Sequence, residues 1–140
     1  MPSSTASNSP TASTSQLTYD QLRPGDCVQV PNINTINGWP EVYMVVPCAQ
    51  QHTGEVFFTG NVWPQSIAYP GDNVTSNQAE ARCGGAFTTY VGVPPDQSIF
   101  TYAWHLPDSI SWLSGDRSVQ CIAYDPNGAP IDYSIKDSTM

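Results

Sequence analysis

The sequence predicts an α+β domain in which an antiparallel sheet of four to five strands packs against one main helix and two disulfides brace the whole. Three observations carry that reading. Segment 73–91 repeats apolar residues at helical spacing. Five shorter segments are alternating or apolar and lie between turns rich in Pro, Gly and Asn. Four cysteines, Cys27, Cys48, Cys83 and Cys121, are spread through the 140 residues with no C-x-x-C pair. A chain of this length holds one domain with one core.

The first strand, 27–30, follows the Pro24-Gly25 turn and alternates as Cys27-Val28-Gln29-Val30. A loop rich in Asn, Gly and Pro, 31–40, leads to the buried strand 42–46, which Pro47 closes. Together they form a long-looped antiparallel hairpin. Strand 55–60 carries aromatic and β-branched residues that suit a pleated surface.

The helix starts after Pro70-Gly71, with Asp72 as its N-cap candidate. Ala79, Cys83, Ala86, Phe87, Tyr90 and Val91 recur three and four residues apart and make one apolar face. Gly92 stands where a helix-ending glycine belongs, and Pro94-Pro95 forbids continuation. Gly84-Gly85 is costly inside a helix, roughly 1 kcal/mol per glycine against alanine. Close approach to a neighbouring strand would compensate; two shorter helices are the alternative. Strand 98–106 carries an aromatic face, and 108–114 fits a single helical turn with Trp112 and Leu113. Gly115-Asp116 turns into the last strand, 118–124, where Val119, Cys121 and Ala123 share a side.

Four cysteines allow three pairings. Cys27 and Cys48 lie at the same open end of the hairpin, and Cys83 lies on the helix face that meets the side of the last strand carrying Cys121. The expected bridges are therefore Cys27–Cys48 and Cys83–Cys121. Crossed pairings would require the helix to cover the open end of the hairpin as well.

Residues 1–17 are expected to be a disordered Ser/Thr-rich linker, 18–127 the domain and 128–140 a flexible tail. Up to Gln16 the linker holds only Ser, Thr, Ala, Asn, Pro and Gln after Met1, too little apolar surface to offset its ordering entropy. It lacks the basic and apolar regions of a signal peptide. The net charge is −8, with only four Lys and Arg, namely Arg23, Arg82, Arg117 and Lys136. That balance opposes binding to nucleic acid or to anionic lipid, and no segment is apolar enough for direct membrane insertion. Wide, even cysteine spacing fits an oxidising, extracytoplasmic compartment.

No arrangement singles out catalysis. His52 stands three residues before Glu55, but a metal site needs three or four converging ligands. His105 joins it only by folding, so His52 is read as bonding to a turn beside Cys48. Asp26, Asp72 and Asp116 each follow glycine and Asp125 precedes proline, which makes them turn residues. No G-x-S-x-G elbow or calcium loop is present. The chain is expected to be no enzyme and to use no metal or cofactor. The surplus lies in its fifteen aromatic residues. Trp39, Trp63 and Tyr69 sit in loops beside Pro or Gly and form the expected binding surface, whereas Trp112 reads as core.

The ordered set Leu22-Arg23-Pro24-Gly25-Asp26-Cys27, Val45-Val46-Pro47-Cys48, His52 with Glu55-Val56-Phe57, and Tyr69-Pro70-Gly71-Asp72 resembles a known family. Arg82-Cys83, Ala86-Phe87, Tyr90-Val91-Gly92, Ser111-Trp112, Gly115-Asp116-Arg117 and Val119-Gln120-Cys121 continue it. The resemblance is to the actinobacterial septum formation domain and covers roughly residues 18–127. It implies an extracytoplasmic domain tethered to the cell membrane through an N-terminal segment, with a part in division septum assembly and no catalytic residues to carry over. The expected function is a non-catalytic cell-envelope module that binds an envelope or division protein. The alternative is a module that binds cell-wall glycan through loop aromatics.

Overall fold

The strands of this chain are short, so the sheet gains stability from both of its faces being covered. A computed structural model of the chain describes residues 14–35 and 38–140. Its six strands are β1 Ser15–Thr18, β2 Cys27–Gln29, β3 Val42–Val46, β4 Gly54–Asn61, β5 Thr101–His105 and β6 Ser118–Tyr124, with helices α1 Asp72–Val91 and α2 Ser109–Leu113. They form one open sheet in the order β1-β3-β2-β4-β6-β5, antiparallel throughout. The fold is the expected α+β arrangement with one strand more.

The additional strand is β1. Ser15 to Thr18 pair with Val45 to Val42, and Leu17 packs against the inner core. The expected linker therefore ends earlier than residue 17; residues 1–13 lie outside the described residues. Composition conceals this strand because pairing to the open side of β3 supplies backbone bonds that polar residues accept as readily as apolar ones.

One face of the sheet buries Val28, Val30, Tyr43, Val45, Val56 and Ile122. The other receives α1, whose buried Thr75, Ala79, Cys83, Phe87 and Val91 recur every four residues. Gly71 precedes the helix as its N-cap without a side-chain cap bond, so Asp72 does not cap it and instead accepts a hydrogen bond from the Tyr69 hydroxyl. The helix runs unbroken through Gly84-Gly85. A Cβ on Gly84 would lie 3.3 Å from the Tyr102 hydroxyl, whereas Gly85 faces open space; only the first glycine permits close approach. Gly92 ends the helix at φ 101°, in the left-handed region that glycine adopts at little cost.

Cys27–Cys48 closes the β2–β3 hairpin with Cα atoms 5.3 Å apart, and Cys83–Cys121 joins α1 to β6 at 5.6 Å. The two links span 21 and 38 residues. Chain entropy alone would assign them about 3.3 and about 3.9 kcal/mol.

Residues 128–140 do not hang free as expected. Ile131 exchanges two backbone hydrogen bonds of 2.8 Å with His52, and the Ile135 side chain is fully buried. Asp137 and Thr139 donate their N–H groups to Tyr90 and Val91, each at 2.8 Å. The cause is Glu55, a fully buried acid on β4. Its carboxyl oxygens accept from the Tyr90 hydroxyl at 2.5 Å, the Ser134 hydroxyl at 2.8 Å and the Ile135 N–H at 2.9 Å. A buried acid without donors is strongly unfavourable, and the tail provides two of the three.

Removing residues 128–140 should therefore destabilise the domain by about 3–5 kcal/mol, the sum of one buried isoleucine and a buried acid stripped of partners. The melting temperature should fall by about 10 °C or more. An unchanged melting temperature in calorimetry would contradict a docked tail.

Candidate functional site

Strong curl in the sheet sets up the site. The β4–β6 register shifts between Val56 and Phe58, a bulge that increases local twist. Beside it, a Cβ on Gly54 would come within 2.9 Å of the Ile122 side chain and 3.0 Å of Ile33, so strand and loop approach here only because the residue is glycine. As a result, residues next to both edge strands meet at one end. Tyr19, directly after β1, lies edge-on to His105 at the end of β5, with ring centroids 4.5 Å apart. Trp39 donates its indole N–H to the Trp104 carbonyl at 2.9 Å. Its ring lies 6.3 Å from both Tyr43 and His105.

Two cavities of about 590 and 400 Å³ open at this end and share Tyr19, Ser111 and Asp116 as walls. Sheet mouths are a common place for ligands. Asp20 and Asp116 line the larger cavity; Glu41, Asp108 and Asp116 line the smaller one, beside Trp39 and His105. Among the described residues, Arg117 is the one arginine or lysine on these walls. Its guanidinium lies 3.8 Å over the Trp112 ring and donates to the backbone carbonyls of Trp112, Asp116, Gln65 and Pro64 at 2.8–3.3 Å.

Each polar wall group has a defined state. Burial, reinforced by the negative charge and hydrogen bond of Asp116, pushes the Tyr19 hydroxyl up to about 12, so it keeps its proton at neutral pH. Burial holds His105 below the ordinary imidazole value against the opposing pull of Asp116 and Asp108. Asp108 is held below the usual carboxylate range chiefly by the Ser111 N–H, which it accepts at 2.7 Å as N-cap of α2. Among the described residues five buried side-chain atoms lack hydrogen-bond partners. Tyr43 Oη, His52 Nε2 and Trp63 Nε1 lie away from the cavity walls, whereas Gln120 Oε1 and His105 Nδ1 belong to wall residues. Gln120 Nε2 donates to the Ser118 hydroxyl at 3.0 Å, which donates to Asp116 at 2.9 Å. That chain fixes the Gln120 amide and leaves its carbonyl oxygen as an unfilled acceptor.

Of the aromatic residues expected to form a surface, only Trp39 reaches this cleft. Trp63 is buried and packs 5.6 Å from Trp112, and half-buried Tyr69 packs 5.4 Å from the same ring. Both belong to the outer core, because the loop before α1 folds back over Trp112. His52 is fully buried, with Nδ1 2.7 Å from the Gln50 carbonyl. It lies with Cys27 and Glu55 in a group whose ligand atoms are within 4.8 Å of one another. The Cys27 sulfur is held in its bridge and offers no thiolate, so these residues do not fit a metal ion.

Sequence reasoning missed Tyr19, His105, Asp116 and Gln120 as neighbours. Asp116 does serve its turn, accepting the Ser118 N–H at 3.1 Å, and that local role masks the second one. No spacing rule links residue 19 to residue 105; only the curl does.

A family model described as septum formation matches residues 3–121. The chain belongs to the septum formation family. Membership gives it a division-related role and spans both disulfides and every cleft residue named above. The docked tail lies beyond the matched residues. No curated protein and no solved structure gives a significant match. No helix among the described residues is long and apolar enough to cross a membrane.

The His105 shift carries a pH signature. Its folded value is lowered, so between that value and the unfolded value of about 6.5 the unfolded chain binds more protons. Stability contributed by neutral His105 is complete above about pH 6.5 and declines as pH falls below it. Proton-detected titration should place the His105 midpoint below about 6.5, and His105→Phe should flatten the stability profile just below about pH 6.5. A His105 midpoint above 6.5 would contradict a desolvated imidazole.

Proposed function

We propose that this member of the septum formation family is a non-catalytic extracytoplasmic module that docks a protein partner of the division machinery or cell envelope in the cleft between Tyr19, His105 and Asp116. The observation that carries the reading is the fixed, unfilled Gln120 Oε1 in a cleft where hydrogen bonds also orient Asp108, Asp116 and Arg117. Such a cleft is organised before anything binds, which lowers the cost of binding. The functional groups suit holding more than reacting. Tyr19 keeps its proton, and Asp108 is engaged as a helix cap. Two disulfides support an oxidising location, and a tether upstream of the domain would keep the cleft near the septum.

A wall-glycan module is the second reading, favoured by half-buried Trp39 on the cleft wall, since aromatic faces stack on sugars. Sedimentation with purified cell wall separates the two. The protein should remain in the supernatant, while a photo-reactive residue at exposed Ser114, on the cleft rim, should cross-link one or a few envelope proteins in the native host. Sedimentation with glycan and no protein adduct would overturn the protein-partner reading.

A further inference from the structure

We propose that the cleft recognises a cationic side chain, a lysine ammonium or arginine guanidinium, on an extended segment of the partner protein. This deepens the docking reading above and rests on it.

Four carboxyl groups from separate parts of the chain ring the two cavities: Asp20 after β1, Glu41 before β3, Asp108 at α2 and Asp116 before β6. Arg117, the only cation on the walls among the described residues, makes its four hydrogen bonds to backbone carbonyls. The four carboxylates outnumber this one guanidinium, so the walls favour a positive ligand over a negative one.

The second observation is independent of charge. Gln120 is 2 % exposed, lines the larger cavity, and has a carbonyl oxygen without a donor. A buried acceptor left unpaired costs free energy that a donor from a ligand recovers. An ammonium brings three donors and a guanidinium five, with no acceptor of their own. A sugar hydroxyl brings both kinds and would need donors from the walls.

The aromatic residues fit the same ligand. Tyr19 lines both cavities and Trp39 the smaller one, and cations are attracted to such ring faces. The neutral state of His105 avoids a competing positive charge. Cavities of about 590 and 400 Å³ admit a long side chain with flanking backbone. A bare metal ion fits less well: among the described residues, no group of cleft carboxylates with His105 brings its ligand atoms within coordinating range of one another.

The test uses the whole 140-residue chain, isotopically labelled, and three probes: a blocked peptide alternating glycine with lysine, the same peptide with acetylated lysines, and a soluble wall-type oligosaccharide. The lysine peptide should produce saturable shifts of the Trp39 indole N–H, the Gln120 side-chain amide and the His105 ring. Removing one carboxylate charge with Glu41→Gln or Asp20→Asn, both at exposed positions, should weaken binding about fivefold, as loss of one short-range charge contact would. Raising salt to about 1 M should weaken it further.

Equal shifts from the acetylated peptide, or cleft shifts from the oligosaccharide alone, would overturn the cationic class while leaving the cleft as a docking site. The absence of any saturable shift with millimolar lysine peptide would also overturn it. Lysine-peptide binding together with no envelope adduct at Ser114 would uphold the cationic site and defeat the protein-partner reading instead.

Discussion

The curl of the sheet is the constraint on which the site and much of the packing depend. A flat six-stranded sheet would hold β1 and β5 at its opposite edges, five strand spacings apart. Here the sheet, bulged at Val56–Phe58 and tightly packed at Gly54, curls far enough for Tyr19 and His105 to touch. The backbone ladder does not close; the Trp39 indole bond to the Trp104 carbonyl spans the gap instead. Side-chain closure of this kind leaves a mouth with room for a ligand, where full strand pairing would have filled it with backbone.

The two faces of the sheet divide the work. On the outer face, α1 is fastened by the Cys83–Cys121 bridge, and Glu55 gathers β4, Tyr90 and the C-terminal segment around one carboxyl group. This region carries stability and holds Trp63, Tyr69 and Trp112 away from solvent. The inner face ends in the cleft, where polar groups are fixed yet two acceptor-capable atoms remain unfilled. Both faces carry a buried core, but Asp20 and Glu41 on the cleft rim are exposed, so substitutions there leave either core intact.

Much of the fold was legible because its signals are local. The apolar residues of α1, the breaks at Gly92 and Pro94 and the alternation of β2 and β6 act within a few residues of one another. The Cys27–Cys48 bridge acts across one hairpin, and the longer Cys83–Cys121 bridge joins two elements whose facing sides are each locally patterned. β1 was hidden because Ser15, Gln16 and Thr18 have no apolar alternation to reveal; their bonds come from β3. The tail was hidden for a related reason. Its anchor is Ile135 on Glu55, eighty positions away in sequence, and a buried acid looks like a surface acid until its donors are known. The cleft was the least legible part. Aromatic residues in loops beside proline suggested exposure, yet Trp63 turned inward onto Trp112, while the residues that meet in the cleft come from segments near 19, 39, 105 and 116. Their conjunction follows from the degree of curl, which no short window of sequence encodes.

The most direct measurement of this account is the solution contact between the two sheet edges. In the uniformly labelled protein, nuclear Overhauser effects should connect the Tyr19 and His105 rings, and the Trp39 indole proton should exchange slowly with solvent because it is bonded to Trp104. Observing both would establish the curl that builds the cleft. A freely exchanging Trp39 indole proton, with no effect between Tyr19 and His105, would mean that the edges stay apart and that the docking site does not exist in this form.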